Sequence, residues 1–160
     1  MRRIVSSSIA LVLVVAATSA TAQDRVANIS FERFKQLRWV VGSWKGSGGN
    51  YPAFYESYDM VDDSTMRRYS WSDSTFSSKQ DSARFEWRAG RLAQVRNGRA
   101  FPALKFTGDT LQWQPPSATW IRTSSDAWIA ILADGGTTYT LVRYKPVAPA
   151  RHEPGARGPG

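Results

Sequence analysis

The sequence predicts an all-β fold, an antiparallel up-and-down barrel of eight to ten strands with a short N-terminal helix. Beyond residue 38, no segment shows a 3.6-residue apolar period, and the segments that follow are short, with apolar residues at alternate positions. Turn-forming Gly, Asn, Asp and Pro residues separate these segments at short intervals. At 160 residues, the chain suffices for one domain with a single core.

Residues 1–22 predict a cleaved signal peptide outside the fold. Two arginines precede an apolar run at 9–17, and Ala20-Thr21-Ala22 forms an A-x-A cleavage site before Gln23. The alternative, an uncleaved anchor, is disfavoured because a membrane-spanning helix needs about 20 apolar residues. We therefore expect a mature protein that starts near Gln23 and is periplasmic or secreted.

The first predicted element of the domain is helical. Ser30 has the side chain of an N-cap, and Phe31, Phe34 and Leu37 recur at helical spacing. The pattern predicts one short helix or 3₁₀ turn over residues 31–38, which would plug one end of the barrel.

The predicted strands follow from alternation and from the turn residues between them. Alternation is clearest in residues 83–88, and Asn97-Gly98 is a strong two-residue hairpin signal. Proline cannot donate to a strand ladder, so Pro102 and Pro115-Pro116 are expected at edges, bulges or loops. The strands are predicted at residues 39–45, 54–61, 65–71, 83–88, 91–96, 100–106, 110–114, 118–123, 127–133 and 137–144.

These elements divide the chain into four parts. A linker at 23–30 precedes the barrel domain at 31–145. From residue 146 to 160, Pro, Gly, Ala and Arg dominate, and that composition predicts a disordered tail.

Composition limits the chemistry that the chain can perform. The sequence has no cysteine, which excludes disulfides and Cys-based metal or nucleophile sites. All 20 Phe, Tyr and Trp residues lie between Phe31 and Tyr144. Because each buried ring removes about 150–250 Å² from water, they can build a dense core and also line a cavity.

The charge balance is basic. The formal charge is +8, and removal of residues 1–22 leaves 19 basic and 13 acidic side chains, or +6. This balance favours anionic ligands and weak contact with an anionic envelope surface. Export makes nucleic acid an unlikely partner, and the sequence indicates no oligomeric state.

Several stretches resemble a known family. Leu37 to Trp44 contains Leu-x-Trp-hydrophobic-hydrophobic-Gly-x-Trp, and Tyr55-Glu56-Ser57-Tyr58 and Ser64-Thr65-Met66 follow it. With residues 85–88 and 139–144, these stretches resemble the lipocalin-like (calycin) superfamily, especially its small bacterial exported domains. The resemblance implies a lipocalin-like barrel with a ligand cavity, and it implies no particular activity.

One branch of that superfamily, the nitrobindins, binds heme through a histidine near the C-terminal end. The only histidine here, His152, lies in the Pro/Gly tail after the last predicted strand. We therefore expect no heme, no metal site and no other cofactor.

Trp44 and Arg143 are expected to form a structural pair. In lipocalins, an Arg or Lys of the final strand lies over the Gly-x-Trp indole and closes the base of the barrel. A guanidinium over an indole stabilises by about 0.5–2 kcal/mol. The resemblance therefore implies that this pair serves closure of the barrel more than ligand contact.

Glu56 is the leading polar candidate for the cavity. Phe54, Glu56, Tyr58 and Met60 alternate along one strand and therefore share one face. A carboxylate on such an apolar face needs a partner, because burying it unpaired is costly. That partner is a ligand, a tyrosine, or an arginine of the next strand, Arg67 or Arg68.

The predicted function is binding of a small hydrophobic or amphipathic ligand in an aromatic-lined cavity. Trp87 and Trp113 complete the set of ligand-binding candidates, with Phe54, Glu56, Tyr58 and Met60. Such sites are mostly apolar, with a few polar groups that orient the ligand.

Two alternatives remain open. One is an enzyme in the same barrel that uses Glu56 with Tyr55 and Tyr58 for acid–base chemistry, although no catalytic residue is assigned. No Cys or His lies in the domain for a nucleophile–base pair. The other is an envelope-interaction module that uses an arginine-rich hairpin carrying Arg84, Arg88, Arg91, Arg96 and Arg99.

Overall fold

The computed structural model describes residues 26–114, 118–132 and 136–147. The signal peptide expected at 1–22 and all but the first two residues of the tail expected at 146–160 lie outside the described residues. Among the described residues, no helix is long and apolar enough to cross a membrane.

The strands form one closed antiparallel barrel, and the prediction of the fold class is confirmed. Each of the ten strands pairs with its neighbours in the chain, and the first pairs with the last. A short α-helix (α1) and a 3₁₀ helix precede them. The elements are α1 Phe31–Lys35, the 3₁₀ helix Gln36–Val40, β1 Gly42–Gly48, β2 Tyr51–Asp62, β3 Thr65–Trp71, β4 Lys79–Arg88, β5 Arg91–Arg96, β6 Arg99–Phe106, β7 Thr110–Trp113, β8 Thr119–Arg122, β9 Ala127–Ile131 and β10 Thr138–Arg143.

Several strand boundaries differ from the prediction, by up to four residues. The first strand begins at Gly42 instead of residue 39, because Trp39 and Val40 continue the helical segment as 3₁₀ turns. The fourth strand begins at Lys79 instead of residue 83. Its polar start is held in the sheet by pairing with β3, where Trp71 lies opposite Lys79.

The predicted turn at Asn97-Gly98 joins β5 to β6, and both residues have positive φ, as a type I′ turn requires.

The helical segment lies against one end of the barrel interior. The Ser30 hydroxyl accepts a hydrogen bond from the Arg33 N–H at 3.1 Å and caps α1. Phe34, Leu37 and Val40 are buried and belong to the same core cluster as the inward side chains of the strands. This end of the barrel is therefore filled with apolar side chains.

Trp44 and Arg143 lie at this closed end and pair across β1 and β10. The Arg143 guanidinium carbon is 4.0 Å from the centroid of the Trp44 ring. Arg143 also donates to the Trp39 carbonyl at 2.9 Å and to the Val41 carbonyl. Gly42 permits this approach, because it has a φ of +122° and a Cβ there would lie 2.3 Å from an Arg143 nitrogen. The arginine thus ties the last strand to the helical segment.

Candidate functional site

The other end of the barrel interior contains a cavity of about 300 Å³. Strands from around the barrel contribute to its wall, because inward-facing residues alternate along every strand. One part of the wall is aromatic and another is charged. The aromatic part consists of Phe54, Tyr58, Phe101, Trp120, Trp128 and Tyr139.

Phe54 owes its position to a glycine on the neighbouring strand. Gly46 and Phe54 are register partners in β1 and β2. A Cβ on Gly46 would lie 2.1 Å from the Phe54 ring, so the ring occupies the space that a side chain would take. The ring also meets Tyr139 edge to face, with centroids 5.3 Å apart. Together these contacts hold two of the cavity's aromatic side chains.

The charged part of the site is a row of four side chains from four consecutive strands. An Arg68 terminal nitrogen lies 3.1 Å from Glu56 Oε1, and the other lies 3.0 Å from Asp81 Oδ2. Arg96 Nε lies 3.1 Å from the same Asp81 oxygen. We call this row the charge ladder, Glu56–Arg68–Asp81–Arg96, and three of its members, Glu56, Arg68 and Arg96, line the cavity.

Burial changes along the charge ladder. Glu56 is 7% exposed, and the Arg68 side chain is 13% exposed. The Arg96 side chain is 51% exposed. The ladder therefore runs from a buried, fully paired carboxylate to a guanidinium at the mouth of the cavity.

Tyr58 joins the aromatic wall to the charge ladder. Its hydroxyl donates a hydrogen bond to Glu56 Oε2 at 2.6 Å. Burial, followed by the charge of Glu56, raises the pKa of the Tyr58 hydroxyl well above its usual value. Tyr58 is therefore a neutral donor, and both oxygens of Glu56 are engaged.

The structure brings three of the six predicted ligand-binding residues to the cavity: Phe54, Glu56 and Tyr58. Met60 lies further along β2 and packs against the core cluster. Trp87 packs near the closed end, where its Nε1–H donates to the Ile29 carbonyl at 2.6 Å. Trp113 is fully buried, with its ring centroid 5.5 Å from that of Trp120. The structure places Met60, Trp87 and Trp113 outside the cavity wall.

Sequence reasoning did not include several cavity residues. The sequence pattern indicates Arg68 only as a structural partner of Glu56, and it does not single out Asp81 or Gln94. A signal was present for Gln94, which lines the cavity and has the same parity as Leu92 on β5, and for Asp81 of the charge ladder, which has the same parity as Phe85 on β4. The side chains that line the cavity besides the expected ones include Arg68, Gln94, Arg96, Phe101, Trp120 and Tyr139.

The arginine-rich hairpin divides into two groups. Arg84 and Arg88 flank Glu86 on the outer face, with nitrogen–oxygen distances of 3.3 and 2.9 Å. Arg91 is the exposed register partner of Arg88, whereas Arg96, which lines the cavity, is the register partner of Arg99. The five arginines of the hairpin are therefore divided between two faces of the sheet.

No group of three or more acidic, His or Cys side chains that could hold a metal ion occurs among the described residues. His152 lies outside them.

Comparisons with known proteins identify no family for this chain. No protein-family model matches the sequence, and no curated protein matches it. Among solved structures, a redesigned β-barrel matches 67% of this chain and 93% of its own, with 9% identity and a TM-score of 0.35. So distant a likeness carries no argument about function.

Proposed function

We propose that this protein is an exported binding protein for a small amphipathic ligand, which it holds in the open half of a lipocalin-like barrel. The observation that carries the proposal is the cavity of about 300 Å³, with rings on one part of its wall and charges on another. Ligand pockets in proteins are mostly apolar, with a few polar groups that fix orientation, and this volume is at the small end of their range.

The aromatic wall accounts for the apolar part of the ligand. Trp120 and Trp128 pack with their ring centroids 5.1 Å apart, and the Trp120 ring is also 5.9 Å from Tyr58. Rings that pack against each other in this way form a rigid surface, so that a ligand loses little free energy in ordering them. A flat apolar group would fit such a wall.

The state of the polar groups favours binding over acid–base catalysis. A general acid or base needs a pKa near the working pH, but the raised pKa of Tyr58 moves it away from that range. Glu56 accepts from Tyr58 and pairs with Arg68, so each of its oxygens already has a partner within the protein. These groups instead form a fixed polar wall.

The sequence supports the exported location and the family assignment. The expected cleavage site before Gln23 follows a short apolar run. The Gly-x-Trp strand and the arginine of the last strand resemble lipocalin-like domains, and in this fold they pair across the closure of the barrel.

Native mass spectrometry of the protein purified from its own host tests the proposal. We expect an intact chain that starts near Gln23 and retains a small molecule. The neutral fluorescent probe N-phenyl-1-naphthylamine should bind to the protein after that molecule has been removed.

Two matched variants locate the ligand. Ala130 lines the cavity, and Ala127 lies on the same strand, three positions away and on the opposite face. We expect Ala130→Phe to abolish probe binding by filling the cavity, and Ala127→Phe to preserve it. A folded Ala130→Phe protein that binds the probe normally would overturn the site, and a wild-type protein without retained molecule or probe binding would overturn the function.

A further inference from the structure

We infer that the ligand carries an anionic group, a carboxylate or a phosphate, which Arg96 and Arg99 hold at the mouth of the cavity. This inference rests on the proposed function and adds the chemical class of the ligand. Two independent observations carry it: which polar atoms of the cavity are unpaired, and how the two arginines are placed.

The first observation concerns the polar atoms of the cavity wall. Glu56 uses both carboxylate oxygens, and Arg68 uses both terminal nitrogens. Arg96 pairs only through Nε, so its two terminal nitrogens have no partner among the described residues. The Tyr139 hydroxyl, also on the wall, has no hydrogen-bond partner there either.

Each oxygen of Glu56 therefore already accepts from a protein donor, whereas the terminal nitrogens of Arg96 have no partner among the described residues. A cationic ligand that entered the cavity would meet Glu56, whose carboxylate is already paired with Arg68. An anion, in contrast, can pair with Arg96 while every contact of the charge ladder stays in place. A guanidinium edge with two free N–H groups fits a carboxylate or phosphate in a bidentate manner.

The second observation is the register of β5 and β6. Arg96 and Arg99 are direct partners across the Asn97-Gly98 turn. Directly opposed residues of antiparallel strands point to the same face, and like charges in that position destabilise a sheet. Asp81 is the acidic partner of Arg96, and it also pairs with Arg68, whereas Arg99 has no acidic partner among the described residues. An anion between the two arginines would relieve this repulsion.

The same hairpin links the anion site to the aromatic wall. The Arg99 guanidinium carbon is 5.7 Å from the centroid of the Phe101 ring, and Phe101 lines the cavity. A ligand with its charge at the mouth would therefore place its apolar body against Phe101 and deeper against Trp120. The structure accordingly favours a compact, flat, acidic compound.

Isothermal titration of the unliganded protein with four naphthalene probes tests the inference. The probes are 2-naphthoate, 2-naphthyl phosphate, 2-naphthamide and 2-naphthylmethylammonium. They share one apolar body and differ in charge. We expect at least one of the two anions to bind about tenfold or more tightly than the neutral amide, and the cation to bind most weakly. The two anions together distinguish a carboxylate site from a phosphate site.

Arginine variants locate the effect. Arg96→Gln and Arg99→Gln should each reduce anion binding several-fold and leave naphthamide binding within about twofold. Arg91→Gln is the matched control, because it removes the same charge from an exposed position at the far end of β5. An unchanged affinity for both anions in Arg96→Gln and Arg99→Gln would overturn the inference.

The outcomes also separate the inference from the proposed function. Naphthamide or the cation binding as tightly as both anions would overturn the anionic site and leave the binding function intact. Failure of all four probes, together with no binding of N-phenyl-1-naphthylamine, would overturn the proposed function itself.

Discussion

The two halves of the barrel interior have different chemistry, although the same strands surround both. The closed half is the end that the helical segment fills. There, Trp44 donates its indole N–H to the Val40 carbonyl at 2.6 Å, and Trp39 donates to the Gly108 carbonyl at 3.0 Å. The open half is the end that contains the cavity. There, the side chains of the charge ladder pair with one another across four strands. Packing is completed by the chain's own helical segment in the first half, and a cavity remains in the second.

This difference indicates how stability and binding are divided. A filled apolar end can stabilise the barrel because each buried side chain removes apolar surface from water. A cavity lined by charged side chains contributes less to stability, since the attraction within a buried ion pair often only offsets the cost of removing both charges from water. We therefore expect the closed half to carry most of the stability and the open half to carry the binding.

The largest expected effect comes from removing a ring from the closed half. Trp44→Ala should lower the free energy of unfolding by about 3–5 kcal/mol, because it leaves a large void in a filled core. Phe54→Ala in the open half should cost less than half as much, since Phe54 is only partly buried and borders a cavity. Denaturant titration measures both, and equal losses would contradict the division between the halves.

A smaller effect is expected at the junction of the first and last strands. Arg143→Ala should destabilise the fold by about 1–2 kcal/mol through loss of the contact with Trp44 and the main-chain hydrogen bonds. The exposed Arg91→Ala is the control and should change stability by less than about 0.5 kcal/mol. A double-mutant cycle of Arg143→Ala with Trp44→Leu should show coupling, and additive effects would argue against the contact.

The smallest effect is a pH dependence that arises at the open half. The pKa of Tyr58 is raised in the folded protein. Its full contribution to the free energy of unfolding is therefore present below a pH of about 10, the pKa of a tyrosine in the unfolded chain. Above that pH the unfolded chain loses the proton first, and the free energy of unfolding falls as the pH rises.

Comparison with two variants isolates this effect. Tyr58→Phe should fold less stably at neutral pH but should show a shallower loss of stability above pH 10 than the wild type. Tyr51→Phe, at a residue that is 67% exposed, should keep the wild-type slope. Identical slopes in all three proteins would mean that Tyr58 ionises as readily in the folded protein as in the unfolded chain.

The sequence predicted the fold more fully than the site, for a physical reason. Alternation shows which residues share a strand face, and it grouped Phe54, Glu56 and Tyr58 on β2. It does not show how far along the barrel axis a residue lies, because that depends on strand tilt and stagger. Trp113 belongs to the core and Trp87 packs against it, but both lie away from the cavity.

The pairing of Glu56 with Arg68 was among the expected alternatives, but the rest of the charge ladder was missed for a different reason. Charged side chains are mostly exposed, so an arginine-rich stretch is first interpreted as an outer face. Asp81 precedes residue 83, where the fourth strand was predicted to begin, and only pairing with β3 makes it part of β4. Partners on separate strands become visible only when the register of the sheet is known.

The closure of the barrel also has a consequence for folding and aggregation. Nine of the ten strand pairings join neighbours in the chain, whereas the pairing of β1 with β10 joins Trp44 to Arg143. That contact must overcome the loop-closure entropy of nearly the whole domain, so we expect it to form late. Until then, β1 and β10 present unpaired N–H and C=O groups to which a second chain can add. The final six-residue strand therefore both completes the core and removes the two open edges at which partly folded copies would join.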